Sequence, residues 1–110
     1  MSGKIPLDFL IACVVLESER MGNPVWFNRL CDVLSWRASR ESVSGNLDML
    51  FDYCIVKGSW EVNGNGDWVR ILRVSEGAKD LVGRKSDGHS DDPDVVTAYA
   101  RLREPTDAGT

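Results

Sequence analysis

Apolar and polar positions follow a helical rhythm in the first half of the chain and a strand rhythm after it. Pro6 suits the first turn of a helix, and Leu7, Phe9, Leu10, Ile11, Val14, Val15 and Leu16 give that helix a broad apolar surface, expected to be mostly buried. The Val-rich middle also suits a strand. However, fourteen residues run to Arg20 without a turn signal and end in Glu17, Glu19 and Arg20, which favours a helix halted by Met21-Gly22-Asn23. Pro24 predicts the start of a second helix of about three turns, with Phe27, Leu30, Cys31 and Leu34 forming one stripe. Ser35 to Ala38 reads as a tight turn, and Ser39 as the N-cap of a third helix over about 39–53.

That third helix carries the cleanest periodicity. Val43, Leu47, Leu50, Phe51 and Cys54 fall in one stripe, while Ser42, Gly45, Met49 and Asp52 point away from it and Glu41, Asn46 and Asp48 flank it. Its outward side is therefore small and polar at the start and acidic at the end. Two β-rich runs follow, Lys57 to Val62 and Trp68 to Val74, separated by Asn63-Gly64-Asn65-Gly66-Asp67, whose Asn and Gly residues suit a tight hairpin turn. In the second run Trp68, Arg70, Leu72 and Val74 share one face, and Val69, Ile71 and Arg73 the other. Trp60 and Trp68 are expected to brace the hairpin base. Ser75 then opens a short helix from Glu76 to about Val82, with an acidic residue suitably placed in its first turn.

Two short helices joined by a four-residue turn and followed by a hairpin resemble a winged helix-turn-helix. The residues that carry the resemblance are Ser39-Arg40-Glu41-Ser42-Val43-Ser44-Gly45-Asn46-Leu47-Asp48-Met49-Leu50, then Ile55-Val56, then Leu72-Arg73-Val74-Ser75-Glu76-Gly77. They are similar to the recognition helix, wing entry and wing exit of prokaryotic MarR-, PadR- and ArsR-like transcriptional regulators, over about Pro6 to Val82. The resemblance implies an α+β fold of three helices, a β-hairpin wing and a short C-terminal helix. It also implies a small regulator that binds duplex DNA sequence-specifically, with helix 39–53 in the major groove. Two positions depart from the pattern. Cys54 stands where such domains usually have Gly, and the turn at 63–67 carries Asp67 and no cation where wing tips often carry Arg or Lys.

On this reading Ser39, Ser42, Ser44, Gly45 and Asn46 are candidate DNA contacts, since short polar side chains and a close backbone suit base edges, and Asn46 suits a paired contact to adenine. Arg37 and Arg40 flank the helix start, where cations would grip phosphates, and Arg70 and Arg73 would add to them from the hairpin. Asn63 and Asn65 suit a minor groove, although turn chemistry alone accounts for both. The bland alternatives are a merely solvated helix face and surface ion pairs worth about 0–1 kcal/mol each.

Charge sharpens the picture. The 110 residues carry 13 Lys and Arg against 17 Asp and Glu, a net charge of -4. Residues 1–85 are neutral, with eleven of each sign, and the whole excess lies in residues 86–110. The expected organisation is a winged-helix domain over 1–85, with a boundary near Gly83 to Gly88, and an acidic tail over 86–110. That tail is either disordered or carries a helix over about 93–103, where Val95, Val96, Tyr99 and Leu102 recur at helical spacing. Such a helix needs a docking surface, on its own domain or on a second subunit, and the resembled regulators dimerise through helices outside the DNA-binding core, so a homodimer through this segment is expected. If the tail instead covers the cationic face, removing it after Lys85 should tighten DNA binding.

Three dispersed cysteines, Cys13, Cys31 and Cys54, form no CxxC pair and fit buried structural thiols in a reducing, cytoplasmic setting. The longest apolar run, Phe9 to Leu16, is too short to span a bilayer. His89 alone makes no metal site, and no cofactor motif is present. With no phosphate loop, no nucleophile elbow and no histidine before the tail, an enzyme is not expected. Beside the DNA-binding reading stands a rival from another class: a winged-helix protein-interaction module without DNA affinity, suggested by the neutral core, the cation-free turn, the acidic helix end and the four tryptophans.

Overall fold

A computed structural model describes residues 5–104. The elements run α1 (Leu7–Arg20), α2 (Phe27–Val33), α3 (Arg40–Asp52), β1 (Val56–Val62), β2 (Trp68–Val74), α4 (Glu76–Asp87) and α5 (Pro93–Arg103). The expected α+β class and element order are both present. Helix α1 is the central post: Leu10 through Leu16 are all buried, and α3, α4, α5 and β2 pack around it. Its breadth of apolar surface reflects that position, since a helix surrounded on several sides has no wide polar face.

Helix α1 stops in a Schellman motif. Gly22 takes φ 76°, its N–H donates to Glu19 O (2.9 Å), and the N–H of Asn23 donates to Ser18 O (3.0 Å). Beyond it the chain does not turn into helix at Pro24. Residues 24–26 stay extended, Val25 O accepts from Leu72 N–H (2.8 Å), and Trp26 bridges Ile71 on β2. The outer edge of β2 claims these residues because its backbone groups that point away from β1 need partners, so α2 is two turns instead of three. The turn expected over Ser35 to Ala38 falls one residue earlier, at Leu34 to Arg37, and Ser39 caps α3 by accepting from Ser42 N–H (3.2 Å).

Strands β1 and β2 pair antiparallel from Val56↔Val74 to Val62↔Trp68. Val56, Leu72 and Val74 lie on the face that meets the core. Helix α4 extends to Asp87, five residues past its expected end, because its last turns still pack on α1. Gly83 is buried there, where a Cβ would lie 3.0 Å from Arg20 Nη2 and 3.7 Å from Leu16 Cδ2, and the Ser86 hydroxyl donates to Gly83 O (3.0 Å). In sequence Gly83 reads as punctuation; in the fold it permits close helix packing.

The acidic segment is charged differently from the rest but is not packed separately. Helix α5 begins at Pro93, is capped by Asp92, which accepts from Asp94 N–H (2.9 Å), and buries Val95, Ala98 and Leu102 in the same core as α1. Of the two docking surfaces expected for it, the one used is its own domain. At its far end Arg29 Nη2 donates to the carbonyls of Arg101 (3.3 Å), Leu102 (3.2 Å) and Glu104 (2.9 Å), which satisfies groups a helix C-terminus leaves open and sets a cation at its negative pole.

Candidate nucleic-acid interface

The outward face of α3 is built by the helix's own period. With Val43, Leu47 and Leu50 fixed in the core, Arg40, Glu41, Ser42, Gly45, Asp48, Met49 and Asp52 are left exposed. Near the start of the helix, the Ser39 hydroxyl holds Ser42 N–H, Ser39 and Ser42 hydroxyls lie 3.2 Å apart, and Asn46 Nδ2 donates to Ser42 O (2.8 Å). Asn46 is half-buried and keeps its carbonyl oxygen for a partner. No atom lies within 4 Å of the Cβ that Gly45 lacks. A mid-helix glycine costs about 1 kcal/mol relative to alanine, and packing offers nothing to explain it; a flat patch of backbone is what it leaves. Ser44 is half-buried on the shoulder of this face.

The four candidate arginines do not act as one group. Arg40 is exposed beside the α3 start, hydrogen-bonded to Asn28 Oδ1 (2.8 Å) and stacked 5.1 Å from the Phe27 ring. Arg70 lies on the core-side face of the hairpin, its guanidinium 4.6 Å from the Phe51 ring of α3. Arg73 is on the opposite hairpin face, bound to both oxygens of Glu61 (3.1 and 2.9 Å). Those bonds, with one from Ser59, hold the Glu61 carboxyl below the usual carboxylate range. Arg37 is turned away from α3, its Nε 3.0 Å from Asp94 Oδ2 and its Nη2 2.8 Å from Ile5 O. Arg40 and Arg70 thus flank α3 from its two ends, while Arg37 and Arg73 are each engaged by a carboxylate. Cys31, beside Arg40 but buried, has its thiol pKa raised by that burial.

At the hairpin tip Asn63 is a turn residue: its Oδ1 accepts from the N–H groups of Asn65 and Asp67 (both 2.9 Å), and Gly66 supplies φ 86°. Asn65 is exposed. The tryptophans do not brace the hairpin base. Trp60 and Trp68 are each 66% exposed, on one face with Val62, because the register sets them toward the tip, beyond the reach of the core.

Comparison with solved structures decides the architecture. The chain is similar to a PadR-like transcriptional regulator from Bacillus cereus (TM-score 0.59, 12% identity, 91% of this chain and 93% of that one). It is similar to the adhesin competence repressor AdcR of Streptococcus pyogenes (0.58, 17%, 96% and 71%) and to ZitR of Lactococcus lactis, a zinc-responsive MarR family member (0.57, 18%, 99% and 69%). The fold is a winged helix-turn-helix. No protein-family model matches the chain, and no curated protein matches it. In winged-helix terms α2 and α3 are the helix-turn-helix, β1–β2 is the wing, and the segment around Trp26 adds a single bridge on the far side of β2. Among the described residues no cluster of His, Cys, Asp or Glu could hold a metal ion, and no helix is long and apolar enough to cross a membrane.

Sequence reasoning missed two features of this winged helix. One is the exposed aromatic face of the wing; its signal was present, since Trp60 and Trp68 flank the turn on the same strand parity. The other is Arg29, which fastens α5 and carries no motif that would announce it.

Proposed function

We propose that this winged helix binds duplex DNA as a small transcriptional regulator, with the N-terminal half of α3 in the major groove. The observation that carries the reading is the open backbone at Gly45 set among Ser42, Ser39 and Asn46, with Arg40 beside it. Small polar groups there suit base edges, and the helix start and Arg40 suit phosphate. Asp48 and Asp52 repel phosphate and confine the approach to the first turns, where Glu41 stands next to Arg40. Arg70 is the second cation of the site, whereas Arg37 and Arg73 serve the fold. Three free thiols, Cys13, Cys31 and Cys54, fit a reducing cytoplasm.

The test is fluorescence anisotropy on a randomised duplex pool at low ionic strength. Binding should weaken steeply with salt; Arg40→Ala should weaken it for all sequences, and Asn46→Ala should relax sequence preference. No binding by the folded protein at low salt overturns the proposal. The exposed Trp60 and Trp68 beside a wing tip without cations favour the rival, a protein-interaction module. That reading gains if a protein partner is bound with affinity indifferent to Arg40→Ala.

A further inference from the structure

Strand β1 is the free edge of the sheet. Its inner neighbour is β2, whose other side is bordered by the Trp26 segment at Ile71 and Leu72, so β1 is the strand left open along its whole length. The ladder's parity shows which groups face that side. Asn63 and Asp67 form a hydrogen-bonded pair at one end and Ile55 with Ser75 at the other, so the N–H and C=O groups of Lys57, Ser59 and Glu61 point to β2. Those of Gly58 and Trp60 point outward. Among the described residues no hydrogen bond reaches them. A seven-residue strand with unpaired outward groups, no proline and two exposed apolar side chains, Trp60 and Val62, is the kind of edge proteins usually blunt.

We propose that this edge pairs with β1 of a second copy, antiparallel and centred on Ser59, joining two wings into one four-stranded sheet. Three features fit this register, and the overlap and the charge pairing single it out. Residues 56–62 then overlap over their full length. Gly58 and Trp60 of one chain face Trp60 and Gly58 of the other as hydrogen-bonded pairs, using the outward groups. Lys57 faces the partner's Glu61 in a closely spaced non-hydrogen-bonded pair, twice by symmetry, so opposite charges meet and each Glu61 carboxylate, already bound by Arg73 of its own chain, gains a second cation. The same register brings Trp60 beside the partner's Arg70, whose side chain covers Gly58 so closely that a Cβ there would collide with its Nε. The indole thereby gains a cation as well as apolar contact. The proposal does not depend on DNA binding.

The test is analytical ultracentrifugation of the full chain and of Lys57→Glu and Glu61→Lys, each alone and the two mixed in equal amounts, with circular dichroism to confirm folding. Wild type should dimerise with rising concentration. Each variant alone sets like charges together at both symmetric positions and should raise the dimer Kd on the order of tenfold or more. The mixture places opposite charges at both positions and should recover dimer. If either variant fails to fold, hydrogen exchange of the wild type serves instead: the Gly58 and Trp60 amides should slow as concentration rises, with those of α5 unchanged. A monomer at millimolar concentration, a dimer indifferent to both variants, no recovery in the mixture, or protection confined to another face would each overturn the proposal.

Discussion

Replacing Cys54 by glycine should make this protein more stable, against the usual direction of core-adjacent substitutions. Helix α3 ends in a Schellman motif like that of α1: the Cys54 N–H donates to Phe51 O (3.0 Å) and the Ile55 N–H to Leu50 O (2.9 Å). The residue at the left-handed position is glycine in α1 but cysteine in α3, where φ is 58°. A side chain in that region costs about 1–2 kcal/mol, whereas glycine loses about 0.5–1 kcal/mol more backbone freedom on folding. The Cys54 side chain is exposed, so its removal forfeits little burial. The difference leaves Cys54→Gly more stable by about 1 kcal/mol, or about 4 °C in Tm for a domain of this size. Urea unfolding followed by circular dichroism under reducing conditions measures it. Cys54→Ala isolates the effect, since it removes the thiol but keeps the strain, and should change stability by less than about 0.5 kcal/mol. The reciprocal change Gly22→Ala meets no atom within 4 Å, so its expected loss of about 1 kcal/mol is conformational alone. If Cys54→Gly gains nothing over Cys54→Ala while Gly22→Ala is destabilising, the strain argument is wrong.

Because Leu102 is buried between α5 and the rest of the core, Leu102→Ala should cost about 2–4 kcal/mol in urea unfolding; a loss below 1 kcal/mol would mean α5 is not part of the folded unit. Truncation after Lys85 removes that helix, so it should report lost stability rather than relief of competition for DNA. Arg37 and Asp94, both largely buried, should show a coupling of about 1–2 kcal/mol in a double-mutant cycle. Arg37→Ala should leave DNA affinity unchanged at temperatures where it is folded, unlike Arg40→Ala. One thiol per chain, Cys54, should react quickly with a disulfide reagent at pH 8, because burial pushes the Cys13 thiol up to about 12 and also raises Cys31; two fast thiols would contradict the packing. Glu61, held ionised by Arg73 and Ser59, contributes stability above its unfolded pKa that is lost as pH falls through its depressed folded value. Thermal melts should therefore show wild type above Glu61→Gln at pH 7, with the gap closing toward pH 3.

What was legible in the chain, and what was not, divides by the range of the interaction that decides it. Ser39, the α3 stripe and the turn at Asn63 to Asp67 were readable because each is settled within a few residues, by a cap, a helical period or a positive φ. The α2 start was not, because Val25 and Trp26 are held by Ile71 and Leu72, some 46 positions onward, and a strand edge outranks the local signal of Pro24. The role of Gly83 was not legible either, because it lies in the side chains of Leu16 and Arg20 across a helix contact.

The same division governs the candidate site. A sequence shows that an arginine is near a recognition helix but not whether its charge is available, and availability here is set by distant carboxylates. Arg37 is taken up by Asp94 and Arg73 by Glu61, whereas Arg40 meets an amide and an aromatic ring and, among the described residues, no carboxylate. On the proposed function, the acidic segment bears on nucleic-acid binding through one contact more than through its total. Asp94 neutralises one cation beside the helix-turn-helix and in exchange positions α5, leaving Arg40 as the cation at the start of α3. Neutralising Asp94 alone, as Asp94→Asn, should then alter stability far more than DNA affinity, which separates contact from bulk charge.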